Sequence, residues 1–525
     1  MKSLKKTLAL VAVLAMATTS LVGCDDDSSS DDSGSDTTTT TTSAAADGGD
    51  DATADDGDDA TADGGDDTSD GGDTVEASLP SDGANFVINS WNDEFLGMVK
   101  NYYCDNGEFG YDNGGPVQTG ATYDESSNTI TFANGVTCAI DSDYLIKPSD
   151  GGAYQTNLDQ ILSSSGDLGD MFLAEADYAL KYINNDSATV ALTEVGISES
   201  EFANQYEYTI QVGTSKTDGS IKGSSWQAAP GLFLYRPSLA ESLLGVTDKE
   251  AMQEKVKDWD TFIATAQEVN TASNGEVKLV QGIQDVWQVF RTNRTTSWID
   301  GTTLAVTSEI EDFMDIAYQL TNDESGDLTV GVNQWTNGWN SCISDSVSEA
   351  SAKTMGSFFS TWGIQWTMVS SCGGEEGEEG STYGDWRAIE GPSAYYWGGT
   401  WIVVPPTCDN ADIAKDIIEF FTINTESMQW YAQNSSDYCN NDIAITNIID
   451  SGYSFDFLGG QDHYSLFQEQ VKNIDVSLMT GYDQTINSAF IEAVNSYCYD
   501  GTSKEDAISS FKSAVADQIS GITIE

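Results

Sequence analysis

A short apolar run preceded by small, flexible residues constrains the fold of this chain more than any other feature. Residues 222–231 read KGSSWQAAPG, and the compact apolar run LFLY follows at 232–235. Small residues and a Pro-Gly pair allow the backbone to turn, whereas a short continuous apolar run is typical of a buried strand. The pattern predicts a linker that crosses from one lobe of the protein into the core of a second lobe.

The first 24 residues have the pattern of an export signal. Three lysines lie among the first six residues, and an apolar run at 8–16 follows that is too short to span a bilayer. The sequence LVGC, ending at Cys24, resembles a bacterial lipobox. That resemblance implies a signal peptide at 1–23, cleavage before Cys24 and lipid on its thiol, which would hold the protein on a membrane without a spanning helix.

Residues 24–77 are predicted to be a disordered tether. They consist mainly of Asp, Gly, Ser, Thr and Ala, and residues 25–77 contain no aromatic residue, Lys or Arg. Such a segment has too little apolar surface to offset the entropy lost on ordering, and its like charges extend it. Its Asp runs lack the Gly-centred spacing and closing Glu of a calcium loop, so no metal site is expected.

The charge of the chain excludes several classes of partner. With 85 acidic and 21 basic residues, the formal net charge is −64, and most of the acidic residues lie outside the tether. This charge repels nucleic acid and anionic membrane surfaces, and it disfavours an anionic ligand.

Polar residues follow two predicted strands. Residues 86–89 are expected to form a strand, and the next residues, WNDE at 91–94, lead into a helix. Ligands bind at the carboxyl ends of strands in open α/β folds. The alternative is structural, since Asp93 could cap the helix and Trp91 could belong to the core.

The strand predicted at 170–174 leads to Glu175 and Asp177. Residues two apart in extended chain point the same way, so the two carboxylates could accept paired hydrogen bonds from sugar hydroxyls. They could also be the acid and nucleophile of a glycoside hydrolase. A third interpretation is that both are solvated loop acids.

Residues 395–401, YYWGGTW, form the densest aromatic stretch. Glycines allow close approach of the backbone to a ligand, and Trp and Tyr offer the flat apolar faces that match the C–H face of a sugar ring. Some of these rings are expected in the core. Trp335 and Trp339, spaced i and i+4, are more typical of a core than of a binding face.

The order of these pieces resembles the carbohydrate-binding extracellular solute-binding proteins of ABC transporters. An aromatic-polar-small segment, a Leu-Phe-Tyr strand and the helix start WDTF at 259–262 match the first crossover of that family, and residues 353–365 resemble its return strand, which ends in an aromatic residue, Trp362. The resemblance implies an α/β, periplasmic-binding-protein-like type II fold with two discontinuous lobes joined by hinge strands. The implied division is 78–225 plus 354–420 for lobe 1 and 226–353 plus 421–525 for lobe 2.

The resemblance also implies a function and a site. A monomeric, non-enzymatic receptor without a cofactor would bind a neutral carbohydrate between its lobes and deliver it to an ABC-transporter permease. The ligand-binding residues would be Trp91, Asn92, Asp93, Glu94, Glu175, Asp177, Trp226, Gln227, Trp362, Trp397, Gly398, Gly399 and Trp401. Two alternatives remain open: a surface-anchored glycoside hydrolase, and a lipoprotein that senses a ligand for a receptor.

Histidine and cysteine usage limits the chemistry further. His463 is the single His, which excludes a multi-histidine metal site, and no Gly-x-Ser-x-Gly motif surrounds a Ser. A Cys104–Cys138 disulfide is expected in an oxidising compartment. Cys342–Cys372 and Cys408–Cys439 are plausible further pairs that would leave Cys498 unpaired, although the connectivity cannot be deduced from the sequence.

Overall fold

The computed structural model describes residues 75–149 and 152–524. The predicted signal peptide, the lipidation site Cys24 and nearly all of the tether lie outside this range. The strands are β1 (Ile88–Ser90), β2 (Thr122–Asp124), β3 (Thr129–Thr131), β4 (Thr137–Ala139), β5 (Tyr144–Ile146), β6 (Met171–Glu175), β7 (Gly223–Ser225), β8 (Gly231–Tyr235), β9 (Val277–Lys278), β10 (Ile299–Asp300), β11 (Thr303–Leu304), β12 (Lys353–Thr354), β13 (Gly356–Ser360), β14 (Arg387–Ile389) and β15 (Thr400–Val403).

The helices alternate with these strands along most of the chain. They are α1 (Glu94–Met98), α2 (Ala153–Ser163), α3 (Ala179–Ile183), α4 (Glu207–Gly213), α5 (Pro237–Leu239), α6 (Lys249–Val256), α7 (Trp259–Ala272), α8 (Ile283–Thr292), α9 (Ser308–Thr321), α10 (Asn337–Ser341), α11 (Val369–Ser371), α12 (Ala411–Ile418), α13 (Thr425–Ser435), α14 (Asp442–Asp450), α15 (Tyr464–Gln470), α16 (Asp483–Tyr499) and α17 (Lys504–Gln518).

One sheet has five strands in the order β5-β1-β6-β15-β7. β1 pairs in parallel with β5 and β6, while β15 runs antiparallel between β6 and β7. Four of the five residues of β6 are buried apolar side chains, as expected for a strand covered on both faces. Because β1, β6 and β7 run in the same direction, the residues that follow them lie at one edge of the sheet.

A second sheet is centred on β8, which contains the apolar run LFLY. All five residues of β8 are buried, and it pairs antiparallel with β13 on one side and β14 on the other. The strand predicted from the apolar run is therefore central to its sheet.

The chain crosses between the two sheets at 226–230. On one side Gln227 pairs with Cys439, and on the other Pro230 pairs with Tyr396. The N–H of Ala228 donates to the carbonyl of Tyr438 at 3.1 Å, and that of Trp397 donates to the carbonyl of Ala229 at 3.1 Å. The predicted linker is thus hydrogen-bonded to two other segments of the chain, one at 396–397 and one at 438–439.

The division into lobes stays a prediction, but the strand pairing differs from it within residues 354–420. That stretch was predicted to belong to lobe 1 with the first sheet, whereas β13 and β14 pair with β8 in the second sheet. The chain returns to the first sheet only at β15. The physical reason is that β13 and β14 supply the main-chain partners of β8, which would otherwise be buried with unpaired polar groups.

In the part of the chain that the structure describes, no helix combines the length and apolar character needed to cross a membrane.

Candidate functional site

Several residues singled out from the sequence meet at one edge of the five-stranded sheet. Residues 91–94 follow β1, Glu175 ends β6, and Trp226 follows β7. Because β15 runs in the opposite direction, Gly398 and Gly399 precede it at this same edge, and Thr400 pairs with Glu175. Parallel strand ends therefore bring together segments that are far apart in sequence.

The acidic pair lies in contact with main-chain groups and with a basic residue from the second half of the chain. The N–H of Asp177 donates to Oε2 of Glu175 at 2.9 Å. A carboxylate oxygen of Asp177 lies 2.8 Å from Nη1 of Arg291, which is at the end of α8. Burial and the nearby charge of Asp177 hold the pKa of Glu175 well above its ordinary value. The environment of Glu175 therefore favours its protonated form more than that of an exposed glutamate, while Asp177 is matched by Arg291.

A second ion pair lies next to the first. Nη2 of Arg294 is 3.4 Å from Oδ2 of Asp483, at the start of α16. Burial raises the pKa of Asp483, and the positive charge of Arg294 offsets part of that effect. The hydroxyl of Tyr396 donates to the sulfur of Met479 at 2.7 Å. A cavity of about 30 Å³ is lined by Asp177, Arg291, Thr292, Arg294, Tyr396, Asp475, Leu478, Met479, Asp483 and Asn487.

The two arginines were missed in the sequence analysis. A signal was present, because Arg291 and Arg294 lie within four residues of each other in a chain with only 21 basic residues. Two basic residues this close together in such an acidic chain indicate a site where carboxylates need a positively charged partner.

Four tryptophans form an aromatic cluster beside the hinge. Trp335 stacks on Trp362, with ring centroids 5.7 Å apart and an interplanar angle of 19°. Trp397 lies edge-on to Trp362 at 5.3 Å, and Trp339 contacts Trp335 at 5.1 Å. Trp339 and Trp397 are buried, whereas Trp335 and Trp362 keep part of their surface exposed. Of the two tryptophans spaced i and i+4, Trp339 therefore lies in the core, whereas Trp335 is partly accessible.

Three of the predicted ligand contacts are engaged in structural roles. Trp401 is 1% exposed, and its indole N–H donates to the carbonyl of Thr209 at 3.0 Å. Trp226 is also 1% exposed and stacks on Phe95 at 5.3 Å. Gln227 donates to Oδ2 of Asp437 at 3.0 Å. Their assignment as ligand contacts stays a prediction. In the structure, all three side chains are buried and contact other residues of the chain.

The loop after β1 combines a helix start with an acidic residue. The side chain of Asn92, and not that of Asp93, accepts from the first N–H of α1, at 3.2 Å from the nitrogen of Glu94. Burial and the proximity of Asp437 raise the pKa of Glu94 to about 7. Asp93 is exposed.

Several buried polar atoms near this edge have no hydrogen-bond partner within the described residues: Nε1 of Trp91, the hydroxyls of Tyr178 and Tyr208, and Nη2 of Arg291. Trp91 lies 6.3 Å from Tyr178, and Tyr208 lies 5.9 Å from Tyr396, measured between ring centroids. Buried donors without partners are costly, which favours a polar ligand that would accept from them.

The predicted disulfides are absent from the described residues. Cys104, Cys138, Cys342, Cys372, Cys408, Cys439 and Cys498 are all buried with free thiols. The sulfur of Cys342 contacts the carbonyl of Trp339 at 3.2 Å, and that of Cys372 contacts the carbonyl of Val369 at 3.1 Å. These two thiols therefore bond to their own helical turns and not to each other.

The single histidine, His463, is the first candidate for a catalytic or metal-binding residue. His463 is buried among aromatic rings, and burial lowers its pKa to about 3. Within residues 75–149 and 152–524, no group of His, Cys, Asp and Glu side chains is arranged to hold a metal ion.

Comparisons with known proteins agree with this architecture. The family model for bacterial extracellular solute-binding proteins matches residues 143–440. A search of curated proteins gave no match. A solved structure described as an extracellular solute-binding protein of family 1 is 14% identical, with a TM-score of 0.59, and the alignment covers 71% of this chain and 91% of that one.

Two further structures come from bifidobacteria. The ABC-transporter-associated binding protein of B. animalis subsp. lactis Bl-04, in complex with β-1,6-galactobiose, is 13% identical with a TM-score of 0.57, covering 84% of this chain and 99% of that one. The galacto-N-biose/lacto-N-biose I-binding protein of Bifidobacterium longum is 14% identical with a TM-score of 0.54, covering 73% and 91%. These similarities show a type II periplasmic-binding-protein fold. Because the family model matches more than half of this chain, the chain belongs to the bacterial extracellular solute-binding protein family.

Proposed function

We propose that this protein is a lipid-anchored receptor outside the cytoplasm that captures a neutral sugar or oligosaccharide between its lobes and delivers it to the permease of an ABC transporter. The observation that carries the proposal is the pairing of charges at the edge of the five-stranded sheet. Structural neighbours described as binding β-1,6-galactobiose and lacto-N-biose support the choice of ligand class.

The charges of the site favour a neutral ligand. Arg291 is matched by Asp177 and Arg294 by Asp483, and burial and the nearby Asp177 raise the pKa of Glu175. Neither arginine is therefore left as an unmatched positive charge. A carboxylate or phosphate on the ligand would add an unmatched charge, whereas sugar hydroxyls can both donate to and accept from these side chains.

The aromatic cluster supports a carbohydrate in particular. The partly exposed rings of Trp335 and Trp362 offer an apolar face, and the ion pairs offer polar groups. A sugar ring presents the complementary combination of a C–H face and a hydroxyl rim. Aromatic rings bordered by a few placed polar groups are typical of small-molecule sites.

The lobes are proposed to meet at the hinge strands. Direct contacts also join the first half of the chain to α16 and to the segment before it: Nζ of Lys216 donates to the carbonyl of Ser477 at 2.9 Å, and the side chain of Gln155 donates to that of Gln484 in α16 at 2.9 Å. Closure of the lobes around a ligand would bury it, and a permease could recognise the closed form.

Membrane attachment is proposed from the sequence alone. The lipobox ending at Cys24 would carry the lipid, and about 50 residues separate it from the first described residue, Val75. The receptor domain would thus be tethered to a membrane through the lipid on Cys24. We propose that it is a monomer.

The proposal is tested by a thermal-shift screen of the full chain against β-1,6-galactobiose, lacto-N-biose and maltose, with galacturonic acid as an anionic control. A sugar at 100 times its dissociation constant adds about 2.7 kcal/mol to stability. We expect at least one neutral sugar to raise the melting temperature and the acid to have no effect. No shift with any neutral sugar would contradict the proposal.

A glycoside hydrolase is the second candidate, because Glu175 has the raised pKa that a general acid needs and lies next to Asp177. The same mixtures are therefore analysed for hydrolysis products. Cleavage of a sugar would contradict the receptor function and support a hydrolase. An intact sugar with a raised melting temperature would support a receptor, and a pull-down with the permease would then separate transport from sensing.

A further inference from the structure

The backbone of Trp335 is in an unusual conformation. Its φ is +68°, in the left-handed region that residues with a Cβ atom rarely adopt. A bulky residue persists there only where its surroundings hold it, and such positions concentrate at binding sites. Trp335 precedes α10, and Thr336 caps that helix by accepting from the N–H of Trp339 at 3.3 Å.

Gln334, the residue before Trp335, is held by three residues of α8. Its N–H donates to Oε1 of Gln284 at 2.8 Å. Its side-chain amide donates to Oδ1 of Asp285 at 2.9 Å and accepts from Gln288 at 3.3 Å. One face of α8 thus fixes both the main chain and the side chain on the N-terminal side of Trp335.

Asp285 also fixes the C-terminal side. The indole N–H of Trp339 donates to the same Oδ1 atom at 3.0 Å, and Asp285 is fully buried. A single carboxylate oxygen therefore binds the residues that flank Trp335 at positions −1 and +4. The other oxygen, Oδ2, has no hydrogen-bond partner among the described residues.

The ring held in this way forms the accessible part of the aromatic cluster. Trp335 stacks on Trp362, and the indole N–H of Trp362 donates to the carbonyl of Trp397 at 2.7 Å. A Cβ at Gly398 would lie 2.7 Å from Nε1 of Trp362, which shows how closely the ring approaches the chain crossing. The stacked pair therefore lies beside the hinge strands.

We propose that Asp285 is a positioning residue, which acts through Gln334 and Trp339 to hold Trp335 against Trp362, so that the two rings form one rigid face for the apolar side of a sugar ring. The ligand in this statement rests on the proposed function. The positioning role rests only on the hydrogen bonds and the backbone conformation.

The positioning is tested by circular dichroism, because closely packed indoles give an exciton couplet that depends on their mutual orientation. Trp335→Phe should remove a couplet that Trp386→Phe, a substitution of a buried ring that packs on Phe457 outside the cluster, leaves intact; this pair assigns the signal. Asp285→Leu should then remove the same couplet. Asp285→Asn, which keeps an acceptor oxygen of the same shape, should preserve it. Burial raises the pKa of Asp285 to about 7, so the amide also resembles the protonated side chain.

A folded Asp285→Leu variant with an unchanged couplet would overturn the proposal. If that variant does not fold, Gln334→Met decides the question, since it removes the side-chain bonds to Asp285 and Gln288 and keeps the bond from Trp339. An unchanged couplet in Gln334→Met would equally overturn it.

Binding of β-1,6-galactobiose, lacto-N-biose and maltose is measured on the same variants. We expect Asp285→Leu to weaken the binding of a sugar by about tenfold or more and Asp285→Asn to restore it. Binding that is unchanged in Asp285→Leu while the couplet is lost would overturn the ligand part of the proposal. If the unaltered protein binds none of the three sugars, the proposed function fails, and the couplet alone still decides whether Asp285 positions Trp335.

Discussion

At the scale of single residues, Glu175 and Asp177 show how environment separates two similar side chains. Glu175 is half-buried at the end of β6 with a raised pKa, whereas Asp177 forms the ion pair with Arg291. The raised pKa favours the protonated form of Glu175, which can donate a hydrogen bond, while Asp177 accepts from Arg291. The pair therefore suits a hydroxyl group, which needs partners of both kinds.

Asp177→Asn should change the charge preference of the site. Without its carboxylate partner, Arg291 becomes an unmatched buried cation, so we expect neutral sugars to bind about tenfold less tightly and galacturonic acid to bind relatively better. Calorimetric titration measures both affinities. Asp159→Asn is the matched control, because Asp159 forms an exposed ion pair with Lys181 at 2.6 Å. Equal changes in the two variants, or an unchanged preference in Asp177→Asn, would contradict the charge-matching argument.

His463 should make the protein less stable in acid. Its pKa is lowered to about 3 in the folded state, against about 6.5 when unfolded, so between these values the unfolded chain binds a proton that the native state excludes. Stability from this group is complete above pH 6.5 and falls as the pH decreases toward 3. The loss reaches at most about 2–3 kcal/mol at pH 4.5.

His463→Phe should abolish this contribution, since phenylalanine suits the surrounding rings of Tyr453, Phe455, Tyr464 and Phe467. Urea unfolding at pH 7 and pH 4.5 measures the difference in stability, and the variant should lose less on acidification than the unaltered protein. Tyr453→Phe removes a neighbouring hydroxyl without a group that titrates in this range and should behave like the unaltered protein. An equal acid loss in His463→Phe would refute the assignment.

At the scale of elements, β8 depends on a residue without a side chain at its start. A Cβ at Gly231 would overlap the ring of Tyr395, which is fully buried and donates through its hydroxyl to the carbonyl of Leu232 at 3.0 Å. The ring cannot move away without losing that bond. The apolar run can therefore enter the core only because the residue before it is glycine.

Gly231→Ala should destabilise the protein by about 1–3 kcal/mol through overpacking. Gly97→Ala provides the opposite case, because Gly97 lies within α1 and no atom lies within 4 Å of its added Cβ. Alanine there should stabilise the protein by about 0.5–1 kcal/mol through its helix propensity. Urea unfolding gives both values. A neutral Gly231→Ala would show that the start of β8 is more loosely packed than the structure indicates.

At the scale of the whole molecule, the net charge of −64 should oppose the folded state through self-repulsion. Salt shortens the screening length from about 30 Å at 0.01 M to about 3 Å at 1 M. We therefore expect the melting temperature to rise by several degrees over this range, as measured by differential scanning calorimetry. NaCl and KCl should act alike. A melting temperature that is flat or falls with salt would show that ion pairs outweigh the repulsion.

Features that depend on local pattern could be predicted from the sequence. The apolar run at 232–235 lies in a buried strand, the segment before it crosses between the two sheets, and Glu175 lies at a strand end, because burial, turns and strand ends have local signatures. Trp335 was expected in the core and Arg291 was not singled out, for the opposite reason. Their roles depend on partners in other segments: Trp362 stacks on Trp335, and Asp177 pairs with Arg291.

The sequence by itself determined the position of the first crossing through its hydrophobic pattern, and the order of its motifs carried the resemblance that implied the family and the class of fold. The tertiary structure alone decided which strands share a sheet and which tryptophans are accessible. It placed β13 and β14 beside β8, Trp401 in the core, and Trp335 at the surface of the aromatic cluster. The physical reason is that pairing and burial are properties of contacts between distant segments, whereas a sequence pattern reports only the preferences of each segment alone.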